Sequence, residues 1–309
     1  MYFPFIRGKQ FELNALRELA PLLNNKIYKP IIEPVRKNLL PLVRTIKELN
    51  ENNIIPIIII NPNLGDFENE CINLIIKLSS MDNKIKFIPC VKIADNTINY
   101  SLVLNELPTV NAIFIADILE KKHFQYLNRS TYAIIPKQTV DDELYQLKNN
   151  IILIDDPFQK KTRNADYKER SSFSNLHINY LTRPNVIGFS DYAIVGAEYS
   201  EAGGPAYVVT IHLSYIEKDY NQMFIRHFSS EKSNSPANPG GKFHEALARY
   251  INFINSYPNT FDNTLGTREL AYLYNEKHFP GLGQLKKISI EHHIETLCNY
   301  LSSNIEVDK

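Results

Sequence analysis

The sequence predicts a (β/α)8 barrel, in which eight parallel strands form a cylinder and the helices between them surround it. Eight short runs of Ile, Val and other apolar residues recur along the chain, and most of them are followed by a helical pattern. The runs are apolar on both faces, as strands covered on both sides are, and the alternation of strand and helix predicts parallel pairing. The rival fold is an open doubly wound sheet, but its phosphate-binding turns G-x-G-x-x-G and G-x-x-x-x-G-K-[ST] do not occur.

The predicted strands are bounded by Pro, Asn or charged residues. In chain order they are residues 2–6, 28–35, 54–60, 85–93, 112–118, 131–136, 151–155 and 186–194. The chain of 309 residues suits a barrel of about 250 residues that carries insertions.

Several of the helices between these strands can be predicted from their apolar spacing. Leu13, Leu16 and Leu19 recur at helical spacing, and Pro21 shortens that helix. Asp66 can cap a helix whose apolar stripe includes Cys71. Residues 160–183 are polar and only weakly periodic, which predicts a loop that leads into a helix.

The pattern changes after the eighth run. Residues 207–215 and 222–228 flank a short polar turn, which predicts an antiparallel hairpin before the last barrel helix. Two helices are predicted near the C-terminus, over about 267–277 and 283–302. We therefore expect a single barrel domain over 1–309, with a hairpin insertion at 204–230 and C-terminal helices at 267–303.

Composition and charge exclude several classes of protein. Lys plus Arg number 34 and Asp plus Glu number 34, so no net charge attracts nucleic acid or anionic lipid, and we expect neither as a partner. The longest apolar run, residues 54–60, is too short for a membrane helix of about 20 residues. The N-terminus lacks the pattern of a signal peptide. Cys71, Cys90 and Cys298 are odd in number and far apart, which predicts packed thiols in a reducing, cytoplasmic compartment.

Active sites of such barrels lie at the C-terminal ends of the strands, and nearly every run here ends in an ionisable or amide residue. From these ends we select Glu33, Lys92 and Asp191 as candidate catalytic residues, and Arg7, Lys9, Lys137 and Asp117 as candidate substrate-binding residues. The alternative is that these residues only mark where burial ends.

The three candidate catalytic residues have individual arguments. Glu33 lies in an apolar run, so its carboxylate needs a partner, which Lys9 or Lys92 could supply. A lysine in a barrel mouth can bind phosphate or act as a base. Asp191 lies near Gly188, where a backbone can approach a ligand closely. The alternative for the Glu33–Lys92 pair is a structural ion pair inside the barrel.

We assign no metal ligand and no cofactor. A magnesium or manganese ion would need oxygen ligands such as Glu33, Asp117, Asp155 and Asp191. The adjacent His292 and His293 diverge on a helix, so they cannot easily share one metal ion. No G-x-S-x-G motif occurs and no cysteine has an activating neighbour, so covalent serine or cysteine hydrolysis is not expected.

The segment YFPFIRGKQFELNALREL contains Gly8, Lys9 and Glu12. It resembles the opening of the phage beta-protein-like family, and the segments around Glu33 and Asp191 are similar to that family too. The resemblance implies a barrel-like fold and occurrence in phages and in bacterial mobile or defence-type gene neighbourhoods, but it implies no reaction. Lys9, Glu12, Glu33 and Asp191 are the site candidates that it carries over.

Two functional hypotheses follow. In the first, the protein is an enzyme, a hydrolase or lyase, that acts on a phosphorylated or nucleotide-like small molecule and binds its anionic group through Lys9 and Lys92. In the second, it is a non-catalytic scaffold of a phage-defence module, whose hairpin binds a protein partner encoded nearby. Fold alone does not decide between them.

Overall fold

A computed structural model describes residues 1–68, 73–94, 104–148, 150–201 and 203–307 of the chain, with side chains as far as 304. The chain forms two compact units. The barrel unit comprises Met1–Asp155 and Leu176–Asp191, and the hairpin unit comprises Asp156–Asn175 and Tyr192–Lys309. Each unit is therefore built from two separate stretches of the sequence.

The barrel unit contains an eight-stranded parallel sheet in which each strand pairs with the next one along the chain. Its strands are β1 (Phe5–Arg7), β2 (Ile31–Glu33), β3 (Ile57–Ile59), β4 (Ile88–Ile93), β5 (Ala112–Ile115), β6 (Tyr132–Pro136), β7 (Ile151–Asp155) and β9 (Val186–Asp191). A parallel bridge between Tyr2 and Phe189 joins the first strand to the last, so the sheet is nearly closed. The predicted α/β barrel is confirmed.

Short helices connect these strands. They are α1 (Gln10–Leu19), α2 (Leu40–Glu51), α3 (Leu74–Met81), α4 (Phe124–Leu127), α5 (Asp141–Leu144) and α6 (Leu176–Asn179). The helix α1 ends two residues before Pro21, as expected. Asn73 caps α3, whereas Asp66 lies in a separate 3-10 turn, Gly65–Phe67, where its carboxylate accepts from the backbone N–H of Lys37. Cys71 lies outside the described residues.

Aromatic side chains fill the cylinder and identify which face of each strand points inward. Phe5 on β1 meets Phe114 on β5, with ring centroids 5.5 Å apart. Phe3 likewise meets Tyr132 on β6, with centroids 6.0 Å apart. These strands are not neighbours in the sheet, so the side chains meet across the lumen.

Gly188 on β9 leaves room for Met1 and Phe3, which pack against it where the barrel closes. A Cβ atom at this position would lie 2.4 Å from the Phe3 ring and 2.7 Å from the carbonyl oxygen of Met1. We expect Gly188→Ala to lower the free energy of unfolding by about 1–3 kcal/mol, as overpacking does. Urea unfolding would measure this, and Gly203→Ala, whose Cβ meets nothing within 4 Å, is the matched control. Equal stability of both variants would contradict the close packing at Gly188.

The hairpin unit is built on a three-stranded antiparallel sheet of order β10–β11–β8. Its strands are β8 (Arg170–Ser172), β10 (Thr210–Ile216) and β11 (Met223–Ser229). The hairpin formed by β10 and β11 agrees with the predicted one. Residues 160–183 were predicted to form a loop that leads into a helix. The helix is present as α6, but the strand β8, which pairs with β11 through Ile225 and its neighbours, was missed.

Three longer helices complete the hairpin unit: α7 (Pro239–Ser256), α8 (Leu265–Asn275) and α9 (Leu282–Val307). Leu213 and Phe228 of the sheet pack with Leu247, Leu270 and Ile288 of these helices in one apolar core. None of the helices that the structure describes is long and apolar enough to cross a bilayer.

Candidate functional site

Three of the predicted site residues, Arg7, Glu33 and Lys92, meet at the C-terminal ends of the barrel strands. Arg7 ends β1 and is the register partner of Glu33, which ends β2. Lys92 lies on β4 in register with Phe114, whose ring fills the lumen. The side chain of Lys92 reaches Glu33 past β3, so we place this mouth cluster on the inner face of the barrel.

The carboxylate of Glu33 binds both cations of the mouth cluster. Its Oε2 accepts from Nη1 of Arg7, and its Oε1 lies 2.9 Å from Nζ of Lys92. Glu33 is fully buried, whereas Arg7 and Lys92 each keep 8% of their surface exposed. The three side chains together carry a net charge of +1, and both cations are largely buried.

Two asparagines after β3 position Lys92. The side-chain amide of Asn61 donates to the backbone carbonyl of Lys92 and accepts from its backbone N–H, both at 2.8 Å. This contact continues the strand pairing beyond the end of β3. The amide oxygen of Asn63 accepts from Nζ of Lys92 at 3.1 Å. Asn63 was not among the predicted site residues, although the motif N-P-N directly after an apolar run was a signal for it.

The turn after β1 is fixed by backbone contacts. The N–H of Gly8 donates to the carbonyl of Glu33 at 2.8 Å, and a Cβ at Gly8 would lie 3.1 Å from Cα of Pro34. The carboxylate of Glu12, fully buried in α1, accepts from the backbone N–H of Arg7 at 2.8 Å. Gly8 and Glu12 thus hold the end of β1 beside the end of β2.

The charge of Glu33 also affects the thiol of Cys90, which lies below it on β4. Cys90, two residues before Lys92 on β4, is fully buried, and burial together with the nearby Glu33 carboxylate raises the pKa of its thiol well above the usual range. The thiol therefore stays protonated at neutral pH and cannot serve as a nucleophile. The polar groups that can contact a ligand at the mouth are those of Arg7, Glu33, Lys92, Asn61 and Asn63.

The other predicted substrate-binding residues lie elsewhere on the barrel unit. Lys9 is the half-exposed residue that precedes α1. Lys137 is exposed and pairs with Asp155 at 2.6 Å. Asp117 is exposed and lines a cavity of about 750 Å³ at the ends of β4, β5 and β6, together with His123 and Gln138. His123 was missed because no apolar strand precedes it in the sequence.

Asp191 lies on the opposite face of its strand from the mouth cluster. The ring of Phe189, two residues earlier, stacks on Tyr2 and contacts Tyr180 in the connection before β9, which is the outer side of the strand. Alternation along the strand places Asp191 on that same side. Its Oδ1 accepts from the Tyr2 hydroxyl at 2.8 Å, and the side chain is buried. The expectation of one pocket that holds Lys92, Glu33 and Asp191 does not fit this placement.

The carboxylates considered as magnesium ligands are held by different partners. Glu33 binds Arg7 and Lys92, Asp155 binds Lys137, and Asp191 binds Tyr2. Two cations beside Glu33 oppose the binding of a divalent cation there, because like charges repel strongly where burial removes water. The mouth cluster is therefore suited to an anion.

A scan of the chain against protein-family models found no match, and searches of curated proteins and of solved structures found no significant match.

Proposed function

We propose that this protein is a barrel enzyme that acts on a small phosphorylated molecule, and that Arg7 and Lys92 bind the anionic group of that molecule at the barrel mouth. One observation carries the proposal: a single buried carboxylate, Glu33, holds two cationic heads from β1 and β4 at the strand ends. Barrel enzymes bind their substrates at this end of the sheet.

The ammonium of Lys92 has one donor more than its two described contacts use. It has three N–H donors, of which two meet Glu33 and Asn63, so the third can bind an oxyanion. The guanidinium of Arg7 adds a second positive charge beside it, and a tetrahedral phosphate offers several oxygens to the site. Glu33 also reduces the cost of burying the cations before the ligand arrives, so less free energy is needed to organise the site on binding.

A separate cavity of about 750 Å³ opens at the ends of β4, β5 and β6, and its volume lies within the usual range for small-molecule sites. Asp117 and His123 line this cavity, whereas Arg7, Glu33 and Lys92 do not. We infer that the mouth cluster alone binds the phosphate and that the reaction is a hydrolysis or an elimination.

The proposal predicts anion binding that depends on Lys92. We expect titration calorimetry to detect binding of ribose 5-phosphate or inorganic phosphate to the wild-type protein. Lys92→Met should weaken binding at least tenfold, since it removes a charge-assisted hydrogen bond worth about 1.5–3 kcal/mol. Lys137→Met is the matched control, because Lys137 is also a lysine at a strand end but pairs with Asp155. Equal affinity of the Lys92→Met variant and the wild type would contradict the proposal.

A non-catalytic partner subunit, with a protein partner encoded nearby, is the second candidate. The observation that favours it is the hairpin turn, where Tyr220 is 72% exposed, since exposed tyrosines are frequent in protein interfaces. Under this hypothesis phosphorylated compounds do not bind, and Tyr220→Ser abolishes capture of the partner.

The cytoplasmic location stays a prediction. The described Cys90 and Cys298 are free thiols, which is consistent with a reducing compartment.

A further inference from the structure

The hairpin unit contains a continuous chain of hydrogen bonds from a serine through two histidines. Oγ of Ser171 on β8 lies 2.8 Å from Nε2 of His227 on β11. Nδ1 of His227 lies 2.7 Å from Nδ1 of His212 on β10. The three residues come from the three strands of one sheet, and His212 and His227 are register partners.

The two imidazoles must share one proton at their contact. Burial lowers the pKa of His212 to about 3, with the neighbouring His227 adding to the effect, and burial followed by the charge of Lys161 lowers the pKa of His227 to about 4. Both rings are therefore neutral at pH 7, and one Nδ1 donates to the other. When Nδ1 of His227 is the donor, its Nε2 carries a lone pair and accepts from the Ser171 hydroxyl.

Aromatic rings fix the two histidines. The ring of Tyr167 stacks on His227 with centroids 4.7 Å apart and meets His212 edge-on at 4.6 Å. Phe158 meets His212 edge-on as well, with centroids 5.5 Å apart, and lies beside Tyr167. These aromatic contacts hold the two imidazoles in one orientation.

Ser171, at the nucleophile end of the chain, keeps part of its surface exposed. Ser171 and His212 are both half-buried, whereas His227 is buried and lines a cavity of about 760 Å³. Arg226 and Arg249 line the same cavity, and each pairs with a glutamate, Glu169 or Glu231, that also lines it. Because Phe173 donates its N–H to Met223 of β11, the N–H of Ser172 points to the other side of β8, away from that strand. It is placed on the residue after the serine, as one donor of an oxyanion hole often is.

We propose that Ser171 is the nucleophile of a second site that hydrolyses carboxylic esters, with His227 as the general base and His212 as its positioning residue. The missing G-x-S-x-G motif excludes a strand-to-helix nucleophile turn, but this serine lies on the edge strand of a sheet. Ser–His pairs that a third group orients recur on unrelated folds.

The reaction follows from the hydrogen bonds. Oγ of Ser171 attacks the ester carbonyl carbon while its proton passes to Nε2 of His227. The carbonyl reforms, the C–O bond to the alcohol breaks, and His227 returns the proton to the departing alcohol. Water then attacks the acyl-serine, gives one proton to His227, and the acid leaves as Ser171 regains that proton. Throughout, Nδ1–H of His227 donates to His212.

A fluorophosphonate carrying a fluorescent group tests the proposal, because it forms a bond to an activated serine with loss of fluoride. We expect mass spectrometry to locate the label on Ser171 at pH 7, where the hairpin unit is folded. Ser171→Ala should abolish labelling and hydrolysis of p-nitrophenyl acetate. Ser256→Ala, at an exposed serine of α7 whose hydroxyl only donates to the carbonyl of Asn252, should retain both.

The role of His212 is tested by its conservative variant. The amide oxygen of His212→Asn can still accept from Nδ1 of His227, so we expect labelling within tenfold of the wild type, against a loss of at least a hundredfold in His212→Leu. Circular dichroism verifies that each variant is folded. An unlabelled Ser171 in the folded wild type, or unchanged ester hydrolysis by Ser171→Ala, would overturn the proposal. Lys92→Met leaves this site intact, so the outcome is independent of the anion site at the barrel mouth.

Discussion

Glu33→Gln is expected to destabilise the barrel by about 3–5 kcal/mol, because it leaves Arg7 and Lys92 side by side and buried without the charge that offsets them. The substitution keeps the shape of the side chain, so lost packing contributes little. Urea unfolding measured for both proteins would give the difference in the free energy of unfolding. The double variant Glu33→Gln with Lys92→Met should recover part of the loss, since it removes one of the two cations.

The control for this prediction is an ion pair at the surface of the same unit. Asp141 pairs with Arg183 at 2.5 Å, and both side chains are accessible to solvent. Asp141→Asn should therefore change the free energy of unfolding by less than about 1 kcal/mol. A Glu33→Gln variant that is no less stable than Asp141→Asn would show that the mouth cluster contributes no net stabilisation.

Acid is expected to unfold the hairpin unit through its buried histidines. Burial lowers the pKa of His212 to about 3 and the pKa of His227 to about 4. Burial also lowers the pKa of His292 to about 4, although its hydrogen bond to the carbonyl of Ser214 opposes this and His293 adds to it. The unfolded chain therefore binds protons first, at the ordinary histidine pKa near 6.5.

The sign of the pH dependence follows from proton linkage. Stability is fully present above pH 6.5 and falls as the pH drops toward 4, since the unfolded state binds more protons throughout that range. Three histidines at about 1.4 kcal/mol per pH unit give a slope of about 4 kcal/mol per pH unit. Urea unfolding between pH 7 and 4 measures it. His292→Gln should make the slope shallower and His278→Gln, which replaces an exposed histidine, should not. A pH-independent stability would contradict the burial of neutral histidines.

The sequence predicted the barrel but not which face each strand end presents. All eight barrel strands lie within the predicted apolar runs, up to one residue at their ends, because short apolar runs rich in β-branched residues and bounded by Pro and charge are typical of buried strands. Runs that are apolar on both faces carry no alternation, so nothing in them shows that Glu33 points inward whereas Asp191 points outward. Only the ring contacts across the lumen separate the two.

The second site was hidden from the sequence for a different reason. Ser171 lies on β8, which has three residues and is polar, so it lacks the apolar pattern of a strand. Its pairing with β11 joins residues more than fifty positions apart. The facing of His212 and His227 depends on the register of the hairpin, and sequence alone did not establish that register.

The interleaved order of the two units restricts how this protein can be dissected and made. The strand β8 is synthesised between the last two strands of the barrel, well before the hairpin that completes its sheet. Shortening the chain after Asp191 would leave β8 behind with an open edge, and starting it after Asp191 would lose the serine of the ester site. Trimming the gene after Asp191 therefore retains every residue of the barrel unit, together with an unpaired β8, whereas no cut at one end yields the hairpin unit alone and complete.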